Sequence, residues 1–364
     1  MPISQVPFAG ISNPVDFRNI VINGDMQIAQ RATSSSSITT TGYYTLDRWG
    51  TIITSLGTWT MSQSTDVPSG QGFANSLKLD CTTADATPSA GDFFWVRQLF
   101  EGQNLQYLKK GTANALPLTA SFWVKSTKTG TFIVQLVDDD NTRSISKSYT
   151  VSVSNTWEFK TVTFAGDTTG AFDNDNASSL QLRFWIGAGT TYTSGTLQTS
   201  WGTQTNANMA VGQVNCADST ANDFLITGVQ LEAGEQASGF EFMPIDVNLG
   251  RCQRYFEKWT RALQNDGPII VGASRSGSSN CQGQINYFTK RTGPTITFST
   301  PSHFEAQFPI SPFTTPLTGA ALAGSAGVNF AYFNGTQGGS LGTDCASIVY
   351  INSGDGTVSI DAEL

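Results

Sequence analysis

The chain has 364 residues, 13% of them charged, with a formal net charge of −8 and an isoelectric point near 4.7. This sparse and acidic charge argues against nucleic acid as a partner, because binding to phosphates needs clustered Lys and Arg. It also argues against electrostatic attraction to anionic lipid. No apolar run approaches the ~18 residues of a membrane helix, so we expect no insertion into a membrane.

Residues 1–18 contain Pro2, Pro7 and Pro14 and show no hydrophobic periodicity. They lack the basic and apolar regions of a signal peptide. Two interpretations stay open for this segment: a frayed tail, or an extended peptide that attaches the protein to a larger particle.

Residues 19–245 predict one large β domain. Short runs rich in β-branched and aromatic residues alternate with turns of Gly, Asn and Asp, which is typical of a sandwich or a jelly roll. The main candidate strands span residues 93–100, 120–125, 131–138, 144–153, 157–164 and 180–187. Residues 188–222 are poor in apolar residues and predict a long surface excursion, which in a compact domain is often functional.

Several of these strands have one apolar face and one face that mixes Trp with a cation. Because successive side chains point to opposite faces, the apolar face should be the core. If the strands are neighbours, the mixed faces form one outer surface with six residues: Trp95, Arg97, Trp123, Lys125, Arg183 and Trp185. Such a surface suits a glycan, a subunit interface or a second packing layer. The strands need not be adjacent.

Asp138, Asp139 and Asp140 form the densest run of carboxylates. Three carboxylates could hold a calcium ion. They also lie where two strands must reverse, and Asp favours turns because it bonds its own backbone. The sequence therefore favours a hairpin turn here.

A helix over about residues 246–263 is predicted to link two domains. Phe240 and Phe242 alternate as they would in a preceding strand, and Asp246 is a candidate N-cap. An apolar stripe at helical spacing follows, made of Leu249, Cys252, Tyr255, Phe256 and Trp259. The helix opens a C-terminal domain over residues 246–364, which we predict to be a second β-sandwich in an all-β chain.

Little in the sequence points to catalysis or to a transition metal. His303 is the single histidine, which leaves too few imidazoles for a histidine-based metal site. The five cysteines include no CxxC pair, which disfavours zinc and predicts free, buried thiols. We expect no enzymatic activity, although carboxylates are numerous enough to supply a glycosidase pair.

Motifs at the two ends of the first domain carry a resemblance. The segments "RNIVINGDMQIAQR", "YYTLDRW", "GVQLEAG" and "FEFMPIDVNLGRCQRYFEKW" resemble bacteriophage tail-fibre and virion-surface proteins, whose jelly-roll domain is similar to carbohydrate-binding modules. The resemblance implies a structural virion protein, made in the host cytoplasm, that serves as a tail fibre, spike or head fibre and contacts a glycan of the host surface. The sparse charge of this β-rich chain separately predicts a homo-oligomer, because uncharged strand edges are often covered by neighbouring subunits. The resemblance favours a trimer that is mounted on other virion proteins through residues 1–18.

The resemblance makes Asp25 a candidate calcium ligand, since carbohydrate-binding jelly rolls often hold a structural calcium near the first and last strands. Two features depart from that pattern. Gln27 stands where those modules tend to have Glu, and residues 228–231 replace an acidic final strand. A tight turn is the alternative, and no other cofactor is expected.

Two other functions stay open at this point. One is a capsid decoration or cement protein that has no ligand. The other is a depolymerase that cleaves surface polysaccharide.

Overall fold

The computed structural model describes residues 17–264, 267–274, 280–307, 314–322, 324–337 and 346–364. Strands make up 43% of the chain, and the predicted all-β class is confirmed. The described residues form two compact units. The sandwich unit comprises the residues up to Gln27 and Thr33–Met243, and the barrel unit comprises Ile28–Ala32 and Pro244–Leu364. Within the described ranges, no helix is long and apolar enough to cross a membrane.

The sandwich unit consists of two antiparallel sheets of six strands each. Sheet A has, in spatial order, β1 (Ser34–Ile38), β3 (Thr58–Ser64), β4 (Ser76–Thr83), β12 (Asp223–Ala233), β6 (Leu118–Ser126) and β9 (Glu158–Phe164). Sheet B has β11 (Gly202–Thr203), β8 (Arg143–Val151), β7 (Gly130–Asp138), β10 (Ser178–Ala188), β5 (Phe93–Glu101) and β2 (Gly50–Thr54). A short helix, α1 (Thr190–Thr193), follows β10.

Aromatic side chains from the two sheets meet in the interior of the sandwich. The ring of Phe122 on β6 lies 5.0 Å from that of Phe184 on β10. Phe132 on β7 and Phe224 on β12 have ring centroids 5.7 Å apart. These apolar side chains occupy one face of each strand, as the period of two predicts. The assignment of the apolar faces to the core is therefore correct.

The first residues of the sandwich unit are hydrogen-bonded to its last strand. Asn19 donates from Nδ2 to the carbonyl oxygen of Val229 at 3.1 Å and accepts from the N–H of Leu231 at 3.0 Å. Further along, the N–H of Val229 donates to the carbonyl oxygen of Gly24 at 2.9 Å. The two sequence motifs that frame this domain are thus neighbours in space.

The turn after β7 encloses a buried cation. Residues Asp139–Thr142 reverse the chain between β7 and β8, as the sequence favours. The ammonium of Lys110 lies 2.5 Å from Asp138 and 3.2 Å from Asp167. It also donates to the carbonyl oxygens of Thr169 and Gly170, at 3.0 and 2.6 Å. The Lys110 ammonium therefore neutralises Asp138 beside the turn.

The barrel unit contains a closed six-stranded barrel and a three-stranded sheet. This domain is all-β as predicted, but its main sheet closes into a barrel where the sequence predicted a sandwich. The barrel strands are, in spatial order, β14 (Ile270–Ser274), β15 (Asn280–Asn286), β19 (Phe330–Gln337), β18 (Thr314–Leu322), β17 (Phe304–Gln307) and β20 (Ala346–Ile351). The sheet consists of β13 (Phe256–Thr260), β21 (Thr357–Asp361) and β16 (Thr295–Phe298).

The linking helix is shorter than predicted. Helix α2 spans Ile245–Gln253, so the interpretation of residues 254–263 as helix is wrong. The cause is the long-range pairing of Phe256–Thr260 with Thr357–Asp361, which supplies backbone partners that a helix end would lack. Asp246 lies in the first turn, and Pro244 is the N-cap, without a side-chain hydrogen bond.

Residues 28–32 belong to the barrel unit, although they lie inside the stretch predicted as one jelly-roll domain. The guanidinium of Arg31 donates to Asp361 at 3.1 Å and lies 3.6 Å from the ring centroid of Phe256. Gln30 donates to the carbonyl oxygen of Phe256 at 2.8 Å. Nothing in the composition of this short stretch indicates that it belongs to a different unit from its neighbours in the sequence.

The four described cysteines are buried and form no disulfide with one another: Cys81, Cys216, Cys252 and Cys281. The fifth cysteine and all but the last two residues of the predicted attachment segment 1–18 lie outside the described residues. His303 lies in a short turn, where its Nδ1 is 3.2 Å from the Ser299 hydroxyl.

Candidate functional site

The six residues of the predicted mixed face lie on two different sheets. Trp95 is directly opposite Trp185, and Arg97 is directly opposite Arg183, on the neighbouring strands β5 and β10 of sheet B. Trp123 and Lys125 lie on β6 of sheet A, between β12 and β9. The expectation of one surface made by all six is therefore wrong. Strand parity is a local property, but the choice of partner strand depends on contacts far apart in the sequence.

The tryptophans of sheet B lie beneath the segment 188–222. Trp185 is fully buried, and its ring centroid lies 4.6 Å from that of Trp95 and 5.6 Å from that of Tyr192. Met209 and Ala210 complete this small apolar cluster. The excursion predicted for this segment thus forms a second packing layer over sheet B, which was one of the alternatives for the mixed face.

The outer face of sheet A carries an open cleft of about 580 Å³. Its aromatic lining comprises Phe73, Trp123, Phe159, Phe240 and Phe242, and its polar lining includes Gln71, Ser121 and Ser238. This volume lies in the range of ordinary small-ligand sites, about 300–1,000 Å³. No charged side chain is among the residues that line it.

Two aromatic groups line the cleft. Trp123 on β6 and Phe159 on β9 are paired in register, with ring centroids 5.3 Å apart. Phe73 forms a second group with Phe240 and Phe242, each 5.1 Å away. Phe159 is 49% exposed and Phe242 is 50% exposed. Large apolar rings that remain this open in a folded domain mark a surface that can bind a ligand.

A glycine on β12, Gly228, is part of the cleft lining. The pairing of β12 with β6 shifts between Thr227 and Gln230, which is a β-bulge. Gly228 lies in this bulge with a φ of +59°, a conformation that favours glycine. Phe73 packs against the bare backbone of Gly228.

The segment with Phe240 and Phe242 is held by buried polar groups, although it is not the strand that the alternation of these residues predicts. Glu232 accepts hydrogen bonds from the N–H and the hydroxyl of Ser238, at 2.8 and 2.7 Å. Gln230 accepts from the N–H of Glu241 at 2.8 Å. The wall of the cleft is therefore fixed before any ligand arrives.

An ion pair lies on the same face as the cleft. Lys125 donates to Asp66 at 2.6 Å, and Trp157 donates from Nε1 to the other oxygen of Asp66 at 2.9 Å. Partial burial acts to raise the pKa of Asp66, but the hydrogen bonds from Lys125 and Trp157 outweigh it and hold the pKa below its usual value. The charges on this face are thus paired with each other.

Asp25 is buried, with 3% of its surface exposed, in the turn that follows Asn23 and Gly24. Among the described residues, no group of three or more acidic, His or Cys side chains is arranged to hold a metal ion. Calcium normally takes several oxygen ligands, so calcium binding by Asp25 stays a prediction.

Four aromatic residues of the cleft were missed in the sequence: Phe73, Phe159, Phe240 and Phe242. Phe159 could have been found from the sequence, because it lies on the opposite face of β9 from the buried Val162 and Phe164. Phe73 lies in a loop and has no periodic pattern around it.

No protein-family model matches the sequence, and no curated protein matches it. Among solved structures, the chain is similar to the enzymatically active domain of tailspike protein 4 of bacteriophage CBA120, with 16% identity and a TM-score of 0.31. That match covers 60% of this chain and only 22% of the tailspike chain.

Two carbohydrate-binding modules are also similar in structure. The module TmCBM61, in complex with beta-1,4-galactotriose, has 11% identity and a TM-score of 0.29, over 59% of this chain and 99% of the module. A family 30 carbohydrate-binding module has 13% identity and a TM-score of 0.28, over 61% of this chain and 97% of the module. The structural neighbours of this chain are thus carbohydrate-binding modules and a phage tailspike domain.

Proposed function

We propose that the sandwich unit binds an uncharged glycan in the cleft on the outer face of sheet A. One observation carries the proposal: five aromatic rings line an open cleft whose polar side chains are two hydroxyls and an amide, with no charged side chain among the lining residues. The C–H face of a sugar ring packs on an aromatic face, and its hydroxyls need hydrogen-bond partners around the rim. Trp123 and Phe159 would supply the stacking surface.

The glycan would be neutral because the cleft offers no counter-charge. Lys125 is already paired with Asp66, and Glu232 is buried behind Ser238 with its oxygens occupied. A carboxylate or phosphate entering the cleft would lose its hydration without gaining a charged partner, which is unfavourable.

An array of neutral hexose oligosaccharides, followed by calorimetric titration of those that bind, tests this proposal. Trp123→Ala should weaken binding by about tenfold or more, because it removes a stacking surface of the size that dominates binding sites. Trp201→Ala is the matched control, since Trp201 is a partly exposed tryptophan on the segment that packs over sheet B. Binding that survives Trp123→Ala and fails in Trp201→Ala would refute the assignment of the cleft.

We further propose that this binding serves a bacteriophage virion, in which the protein is a tail fibre, spike or head fibre that contacts the host surface. The motifs near residues 19–31 and 228–259 support this role, and those of residues 19–24 and 229–231 are hydrogen-bonded in the structure. A homotrimer would convert weak sites into strong adsorption through avidity. Immunogold labelling of phage particles and sedimentation equilibrium of the purified protein test location and stoichiometry.

A further inference from the structure

Two arginines lie side by side on the outer face of sheet B. Arg97 on β5 and Arg183 on β10 are directly opposite in register. Arg183 is only 7% exposed, and its guanidinium carbon lies 4.8 Å from the ring centroid of Trp95. Arg97 is partly exposed. The pair therefore presents one accessible and one nearly buried guanidinium at the same point of the sheet.

Most hydrogen-bond donors of this pair have no acceptor in the described part of the chain. Nη1 of Arg97 and Nε of Arg183 both donate to the same atom, Oε1 of Gln181, at 3.1 and 2.9 Å. A guanidinium carries five N–H groups, so each arginine uses one of five. The buried Nε of Arg97 and the buried Nε1 of Trp95 have no partner among the described residues.

No described carboxylate forms an ion pair with either arginine. Asp139 is near enough to interact electrostatically with both, but its oxygens accept from Ser178 and from Nε2 of Gln181, each at 2.6 Å. Burial lowers the pKa of Arg183 to about 10, and the like charge of Arg97 acts in the same direction. Two cations thus share one indirect counter-charge.

This arrangement is costly for the isolated chain. A desolvated charge without a directly bonded partner destabilises a fold, and two like charges side by side add to that cost. A small oxyanion would remove both costs, because the planar guanidinium fork matches the two oxygens of a carboxylate. Buried donors without acceptors and an unbalanced cation pair are features of binding sites more than of structural ion pairs.

We propose that Arg97 and Arg183 form a binding site for the carboxylate of an acidic saccharide. The partly exposed ring of Tyr43 packs on Gly50, which pairs with Arg97, so an aromatic surface lies beside the cations. Gln181 adds an amide at the same place. This site lies on sheet B, whereas the neutral-glycan cleft lies on sheet A, and it does not depend on the proposed function of that cleft.

Calorimetric titration of the full chain with an oligogalacturonate tests the site, with the neutral galactose oligomer of the same length as the matched ligand. We expect the acidic oligomer to bind and the binding to weaken as salt is raised. Arg97→Gln should reduce the affinity by about tenfold or more, because it removes a charge-assisted donor pair. Arg18→Gln, the same change at an exposed arginine of the same unit, should leave the affinity unchanged.

Thermal unfolding separates a ligand site from a structural pair. Arg97→Gln should leave the midpoint unchanged or raise it, since it relieves the repulsion with Arg183. Trp123→Ala should leave oligogalacturonate binding intact, which keeps this site distinct from the cleft. The proposal is overturned by equal binding of the acidic and neutral oligomers to Trp123→Ala, in which the cleft is disabled, by unchanged affinity in Arg97→Gln, or by a thermal unfolding midpoint several degrees lower in Arg97→Gln.

Two further probes identify the source of the anion. Inorganic phosphate and an oligoglutamate peptide are titrated under the same conditions. Weaker binding of both than of oligogalacturonate supports the saccharide assignment. Tighter binding of the peptide, or binding of phosphate alone, overturns it.

Discussion

Gly228 and Phe73 are in such close contact that a Cβ atom on Gly228 would lie 2.5 Å from Cζ of the Phe73 ring. The bare glycine therefore sets the position of one aromatic wall of the cleft. Because the nearest atom is the far end of a side chain, the Phe73 ring can shift to make room for a Cβ atom.

We expect Gly228→Ala to lower both stability and glycan binding. The positive φ alone costs about 1–2 kcal/mol for a residue with a Cβ, and displacement of Phe73 adds to it. Gly70→Ala is the matched control, because Gly70 has a φ of +74° and a Cβ added there would have no atom within 4 Å. Urea unfolding and calorimetry should show similar backbone costs but a loss of binding only in Gly228→Ala. Unaltered binding in that variant would mean that the Phe73 wall does not contact the ligand.

Trp185→Ala should destabilise the sandwich unit by about 3–5 kcal/mol, since Trp185 is fully buried beneath the segment 188–222. Trp123→Ala should cost less, because Trp123 is only partly buried on the open face of sheet A. Denaturant unfolding of the two variants measures the difference. The prediction fails if the loss in Trp185→Ala is no larger than that in Trp123→Ala.

Lys110→Met should destabilise the sandwich unit by about 3–5 kcal/mol, because it leaves the buried carboxylates of Asp138 and Asp167 without their shared cation. Lys109→Met changes the neighbouring residue, which is exposed, and should have little effect. Chemical unfolding of both variants tests the contrast. Similar losses in the two would show that the buried ammonium contributes little.

Acid should destabilise the sandwich unit through Asp167. Burial acts to raise the pKa of this group, but hydrogen bonds from Arg143 and from the N–H of Thr169, with the nearby Lys110, hold it below the usual value. A carboxyl with a lower pKa in the folded state contributes stability above its unfolded pKa of about 3.9. That stability is lost as the pH falls through the folded pKa.

The test compares unfolding free energies between pH 6 and pH 2 for the wild type, Asp167→Asn and the exposed control Asp175→Asn. Asp167→Asn should be less stable at pH 6 and should lose less stability on acidification. If the unfolding free energy of Asp167→Asn falls between pH 6 and pH 2 as steeply as that of the wild type, other groups cause the acid sensitivity.

The faces of individual strands could be predicted from the sequence, because alternation is a property of neighbouring residues. Phe122 and Phe184 lie in the core, and Arg97 and Arg183 lie opposite each other on an outer face. The division of strands between the sheets could not be predicted. The hydrogen bonds that place β6 in sheet A join residues about a hundred positions apart, as in the pair Thr227 and Trp123.

The end of helix α2 shows the other limit of periodicity. Phe256 and Trp259 are three residues apart, which fits one face of a helix, whereas in strand β13 they point to opposite faces and both are buried. Five backbone pairs with β21 decide for the strand, and β21 is about a hundred residues away. The cleft was missed for a similar reason: Phe73 and Phe240 reach it from loops, where side-chain direction does not follow a period.

The barrel unit is built from two separate segments of the chain, which restricts how it can be exchanged between genes. The chain enters the barrel unit at Ile28, returns at Thr33 and enters it again at Pro244. A recombination event at residue 244 would therefore import a foreign C-terminal third while keeping Arg31, whose side chain contacts Phe256, Asp361 and Glu363. Successful swaps of the barrel unit between related genes would have to carry residues 28–32 along, so these residues and the C-terminal third are expected to be inherited together.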